Sequence, residues 1–176
     1  MRWPRKIVDR GVLTLRLIRC LAPLLALGLM IVAAATPARA IDAVSVRGDA
    51  PAIDLTAVLD HQRSDADRIQ VSTAPGTDGI VRRIEVRARE GGQNWVVFAL
   101  ANNTDDQLDR LIVAPHYRIV SSGLLWPDLG LSRIATITPS TGDRPERQES
   151  ATADIFRITL DPGAVITFVA ELRTDK

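Results

Sequence analysis

The chain has 176 residues, 46% of them apolar, and a net charge of +1. Seven of the 22 basic residues but only one of the 21 acidic ones fall in the first forty positions, leaving 15 basic and 20 acidic groups, net −5, on the other 136. An acidic remainder of that length suits one domain and excludes nucleic acid as an electrostatic partner, and with Cys20 as the only cysteine it excludes disulfide and thiol chemistry beyond the leader.

The leader comes first. Arg2, Arg5, Lys6, Arg10, Arg16 and Arg19 precede an apolar run over 20–35, broken by Pro23 and Gly28, and Ala38-Arg39-Ala40 follows. A basic start, an apolar middle and small residues at −3 and −1 predict a secretory signal peptide over 1–40, with a helix through its apolar part and cleavage before Ile41. The alternative is a leader retained as an anchor, but the run is shorter than the ~20 residues a spanning helix needs. Arg19 beside Cys20, and the position of Cys20 ahead of the apolar run, argue against a lipoprotein. The expected address is the periplasm, with any membrane attachment made through the leader or through a region beyond Lys176.

In the remaining domain, 41–176, residues 41–51 read as an extended lead-in. Residues 53–63 read as a strand running into a short helix, with the two not separable, and 60–68 as a polar loop or helix edge. From Ile69 the period becomes two, and Pro75-Gly76-Thr77-Asp78-Gly79 is a turn. Residues 80–89 form a half-buried strand with Ile84, Val86 and Ala88 inward and Arg83, Glu85, Arg87 and Arg89 outward. Gly91-Gly92 ends it. Residues 95–100 are apolar on both faces, as in a central strand covered on both sides. Asn102-Asn103-Thr104-Asp105-Asp106 is a turn. Leu111, Val113, Tyr117 and Ile119 share one parity in the next strand, where Pro115 implies a bulge or an edge. Residues 134–138 are a short β-branched strand and 139–150 a long polar loop. Phe156, Ile158 and Leu160, then Asp161-Pro162-Gly163, then Ile166, Phe168, Ala170 and Leu172 read as a hairpin. Short strands between turn signals, with almost no helical period, predict an all-β fold, an antiparallel β-sandwich of jelly-roll-like form.

Chemistry-bearing patterns are sparse. His61 and His116 are the only histidines, neither pairs with an acid at ligand spacing, and no metal site is expected. Asp60, His61, Asp65 and Asp67 cluster without the calcium-loop pattern. Ser121 and Ser122 lie near His116 and Asp128 without a nucleophile elbow, and Glu85, Glu90, Glu146 and Glu149 read as surface charges rather than a paired-carboxylate site. No catalytic residue and no cofactor is therefore expected, and a hydrolase remains only a remote alternative. The candidates for binding are Arg83, Arg87 and Arg89 as forked donors and Trp126, in a loop-like context before Pro127-Asp128-Leu129-Gly130, as a flat apolar surface. Solvated strand charges and a Trp capping the end of the sandwich are the plain alternatives.

Residues 92–104, Gly-Gln-Asn-Trp-Val-Val-Phe-Ala-Leu-Ala-Asn-Asn-Thr, and the later Phe156-Arg157-Ile158-Thr159-Leu160-Asp161-Pro162-Gly163 with its following strand to Leu172-Arg173, resemble the periplasmic sensor ectodomain of bacterial seven-transmembrane receptors with diverse intracellular signalling modules. The resemblance spans roughly residues 69–173. A similar exported part occurs in membrane-bound cyclic di-GMP phosphodiesterases with an EAL domain. It implies a jelly-roll-like β-sandwich that senses a carbohydrate-like small ligand, to which the arginines add an anionic one as the other expectation, and it gives no support for catalysis. The chain carries no membrane bundle and neither a Glu-Ala-Leu nor a GGDEF signature, so it reads as the N-terminal part of a membrane-bound signalling protein or as a free-standing periplasmic relative. The competing expectation is an interaction module that contacts another envelope protein, for which the polar 139–150 segment and the arginine stripe are the candidate surfaces.

Overall fold

The computed structural model describes residues 40–119, 125–127, 129 and 132–174. The leader helix and Ala38-Arg39 of the cleavage motif lie outside these residues, as do Ser121, Ser122 and Asp128. The chain from Arg39 to Lys176 is one compact unit.

The described residues are all-β, with several antiparallel sheets and no α-helix among them. In chain order the strands are β1 (Ala43–Val46), β2 (Asp60–Arg63), β3 (Arg68–Ser72), β4 (Arg83–Arg87), β5 (Asn94–Asn102), β6 (Leu108–Pro115), β7 (Tyr117–Ile119), β8 (Leu125–Pro127), β9 (Ser132–Pro139), β10 (Glu146–Gln148), β11 (Ala153–Leu160) and β12 (Val165–Thr174). The main sheet runs β1-β5-β12-β9, with β2 also on β5; a second runs β10-β11-β6; β3-β4 and β7-β8 are two-stranded ribbons. One edge of β5 is divided between two short partners. β2 covers 94–97 in antiparallel register, and β1 covers 99–102 in parallel. Together they close an edge that would otherwise offer unpaired backbone groups to another chain.

β5 explains the layering. Its residues from Trp95 onward are all buried. Val96, Phe98 and Leu100 point to the side where Ile166, Phe168 and Ala170 of β12 meet Leu108 and Ile112 of β6 and Phe156, Ile158 and Leu160 of β11. Phe98 and Phe168 stack there at 5.4 Å between centroids. Trp95 and Val97 point the other way and, with Val169, are covered by Ile69, Val71 and Val86 of the β3-β4 ribbon. The β5 run is apolar throughout because each of its faces has a cover.

Four local expectations change. The segment 156–172 is not a hairpin: β11 pairs with β6 and β10, whereas β12 pairs with β5 and β9. The turn at Asp161-Pro162-Gly163 carries the chain from one sheet to the other. Both strands alternate with period two because both face the same core, a pattern that hairpins and sheet-to-sheet connections share. The 139–150 segment contains β10, and 60–68 contains β2 after a 3-10 turn at Thr56–Val58. In β6 the buried parity is Leu108, Ile112 and Ala114, and Leu111, Val113 and Tyr117 are about half exposed at 52%, 50% and 53%.

The turn between β3 and β4 is held by charge. The Arg82 guanidinium donates to Asp78, aided by the Ile80 N–H, and together they bring the Asp78 carboxyl down to about 2 from its ordinary 3.8. The folded value is depressed, so this contribution is complete above pH 3.8 and is lost as the pH falls toward 2. A carboxylate titration followed by NMR is expected to find Asp78 near 2 in the wild type and raised toward the ordinary aspartate range in Arg82→Ala, where the Ile80 N–H still holds it.

Candidate functional site

The outward face of the β3-β4 ribbon carries two of the sequence candidates. Arg87 stands opposite Arg68, Glu85 opposite Gln70, and Arg83 opposite Ser72. Arg68 reaches Glu85 at 3.1 Å and Asp67 at 3.4 Å, and Arg87 lies 3.7 Å from Asp67. The Glu85 carboxyl lies below its ordinary value, chiefly through a hydrogen bond from Gln70 with Arg68 adding to it. This stripe is thus a solvated lattice of alternating charge, and pairs this exposed contribute little to stability. Arg83 and Arg87 are exposed as expected, but Arg87 already faces an acid.

Arg89 leaves this face. Just past β4 the chain folds over Glu171, a fully buried residue of β12. Glu171 Oε2 accepts the Arg89 N–H at 2.8 Å, and Oε1 accepts those of Glu90 at 3.0 Å and Gly92 at 2.8 Å. Two glycines make this possible. Gly91 has φ 73°, the left-handed region. A Cβ on Gly92 would stand 2.6 Å from the Leu172 carbonyl oxygen and 2.9 Å from the Glu171 side chain. The glycine pair that reads in sequence as a strand end is the seat of a carboxylate clamp, and the clamp fixes where Arg89 stands.

Next to the clamp, β9 slips against β12. Glu171 pairs with Thr136 and Leu172 with Ile134, so Ala135 is the extra residue of a bulge. Its carbonyl accepts from Arg147 Nη1 at 3.2 Å, a use typical of bulges, which re-aim groups out of a ladder. Arg147 Nη2 donates to Asp154 Oδ1 at 2.7 Å, and the guanidinium lies 5.6 Å above the Phe156 ring. Asp154 is itself buried and also accepts the Ile134 N–H at 2.9 Å. His116 Nε2 stands 3.5 Å from the same Oδ1. The result is a rigidly held arginine at the open edge of the two sheets.

Arg89, Arg144 and Arg147 rim a pocket of about 180 Å³ whose other lining is Ala135, Thr136, Ile137, Pro145 and Phe156. Among the described residues neither the Arg89 nor the Arg144 guanidinium has an acidic partner. A wider depression of about 670 Å³ lies beside β10, lined among the described residues by 147–151 and 153, from β10 to the start of β11. Comparison with protein-family models, with curated proteins and with solved structures found no match.

Trp126 sits in β8, opposite Arg118 of β7, rather than in a loop; its side chain lies outside the described residues. It stands on a different ribbon from Arg83 and Arg87, and of the three arginine candidates Arg89 is the one that lines the pocket. Arg144, Arg147 and Asp154 were not singled out in sequence. The available signal was two arginines flanking Pro145 and Glu146 within a segment read as loop, which says nothing of the strand they meet. The residues that carry the resemblance have packing roles. Trp95 and Phe98 fill the two core faces, and buried Asn102 donates from Nδ2 to the carbonyls of Asp106, Leu160 and Asp161 at 2.8, 3.0 and 3.0 Å.

Proposed function

We propose that this is an exported ligand-binding domain of sensory type, a jelly-roll-like β-sandwich, with no catalytic step of its own. The observation that carries the reading is a pocket whose basic rim has two guanidinium groups without an acidic partner among the described residues and whose floor is apolar. Ligand sites in general combine such a floor with a few placed polar groups. The strand order supports the sandwich. β5, β12 and β9 lie side by side in one sheet, and each is joined through the chain to a strand of equal rank in the other, β6, β11 and β10. A long antiparallel ribbon folded over on itself gives this order, which is jelly-roll wrapping with fewer strands than the usual eight.

Export is supported by the leader, and sensing by the sequence resemblance, under which the domain serves a membrane-bound signalling protein of cyclic di-GMP type. Expression of the gene in a diderm bacterium is expected to yield a periplasmic product beginning at Ile41, read by amino-terminal sequencing. A product that keeps Met1 and stays with the inner membrane overturns cleavage. Ligand-induced thermal shift with a panel of neutral sugars and organic anions tests binding, and a panel without effect overturns it.

The second reading, an envelope interaction module, draws on the half-exposed row Leu111, Val113 and Tyr117 along and just beyond the edge strand β6. Crosslinking in the periplasm from a photoreactive residue at position 113 separates the two, since that reading requires a defined protein adduct there.

A further inference from the structure

We infer that the pocket between β9 and β10 takes a small organic anion, a carboxylate or phosphate head on an apolar body of about one ring; this rests on the ligand-binding reading above. The charge count comes first. Three guanidinium groups surround the pocket, and one of them, on Arg147, is neutralised by the buried Asp154. Two positive charges are left over, on Arg89 and Arg144, on the rim of a domain that is acidic as a whole.

Arg147 remains a usable donor. Its two hydrogen bonds, to Asp154 and to the Ala135 carbonyl, engage one proton on each Nη, and a guanidinium has five. Its position is fixed on three sides, by the carboxylate, by the bulge carbonyl and by the Phe156 ring. Arg89 is fixed through its backbone by Glu171. The Arg147 guanidinium, already held in place, loses little freedom when an anion arrives. Forked N–H donors match the oxygens of a carboxylate or phosphate.

Size and floor select the rest of the ligand. Ile137, Pro145 and Phe156 offer no hydrogen-bonding side-chain group, so the body that rests on them is apolar. The pocket, about 180 Å³, is smaller than the roughly 300–1,000 Å³ usual for drug-sized ligands. It holds one ring and excludes an oligosaccharide. Of the carbohydrate-like and anionic ligands that the sequence suggested, this pocket favours the anionic kind.

The test is isothermal titration of the purified whole protein with phenyl phosphate and benzoate, with methyl glucoside as the neutral probe. Saturable binding of phenyl phosphate or benzoate is expected. Arg144→Ala should weaken it roughly tenfold or more, the usual effect of losing one charged hydrogen bond. Arg89→Ala with Arg144→Ala should abolish it, and Arg63→Ala, on β2 and outside the pocket lining, should change it less than about twofold. Anion binding unchanged in the double variant, or removed instead by Arg83→Ala with Arg87→Ala, overturns the pocket assignment. Methyl glucoside binding without anion binding overturns the anion class and leaves the ligand-binding reading in place. Binding of none of the three overturns this inference, and failure of the wider panel as well overturns that reading with it. Circular dichroism of each variant confirms that it is folded before it is scored.

Discussion

Trp95→Ala lowers the stability of the domain by about 3–5 kcal/mol, the usual loss for a large buried aromatic. The indole is 1% exposed and fills the space between β5, β12 and the β3-β4 ribbon, against Ile69, Val71, Val86, Val97 and Val169. These are β-branched strand residues, stiff at χ1, so the surroundings collapse poorly into the gap. Against a total of about 5–15 kcal/mol, a loss of this size leaves a barely folded protein. Trp95→Phe is the informative companion. Nε1 is buried without a hydrogen-bond acceptor among the described residues, so removing that N–H offsets part of the lost volume, and the cost is expected to stay below about 2 kcal/mol. Urea unfolding measures both, read as a fall in midpoint at unchanged slope. An unmoved midpoint in Trp95→Ala would put the indole outside the core.

The second large effect is expected at Glu171. Two opposing quantities decide it. Burying a lone carboxylate costs several kcal/mol, and Glu171 is 0% exposed. Hydrogen bonds to a charged group return about 1.5–3 kcal/mol each, and Glu171 accepts three from the backbone. Alanine removes both, leaves three N–H groups unsatisfied in a part-buried loop and opens a hole beneath them, for a net loss of about 3 kcal/mol. Glutamine keeps a carbonyl oxygen for Glu90 and Gly92 but sets an NH2 against the Arg89 N–H, and should cost about 1–2 kcal/mol. The distinguishing measurement is amide hydrogen exchange. In Glu171→Gln, protection should fall at residues 89–92 and hold in β5 and β12. Equal loss everywhere would mean that the clamp is not a local device.

The all-β class, the buried β5 and the outward arginines of β4 were legible because period and turn chemistry are local properties. Ile84 and Val86 alternate with Arg83, Glu85 and Arg87 whether or not anything else is known. Pairing was not legible. The alternation of Phe156, Ile158 and Leu160 with that of Ile166, Phe168 and Ala170 fits a hairpin and a sheet-to-sheet turn equally, and only the partners Ile112 and Phe98 separate the two. The parity of β6 was obscured for a similar reason. Leu111 and Val113 are as apolar as Ile112 and Ala114, and burial by β5 and β12 chose between them. The pocket was half legible. Arg89 stood out on a strand face, but Arg147 is held there through a bulge at Ala135, and a one-residue slip between two strands distant in sequence leaves no local mark.

The place of β12 in the sheet has a consequence for synthesis. It lies between β5 and β9 and follows every strand it joins, and it supplies Phe168, Ala170 and Glu171 to both sides of the main sheet. Until Thr174 has left the ribosome, β5 and β9 each lack a neighbour, the second sheet has little to pack on, and the 89–92 loop has no carboxylate to fold over. Vectorial folding of the early strands therefore has almost no stable product to reach, and the chain closes in one late, long-range event, the slow end of the range for small domains. Before that event it presents unpaired apolar strands, the kind of surface through which unfinished chains aggregate. A polypeptide with this schedule keeps its early strands open until β12 has been made.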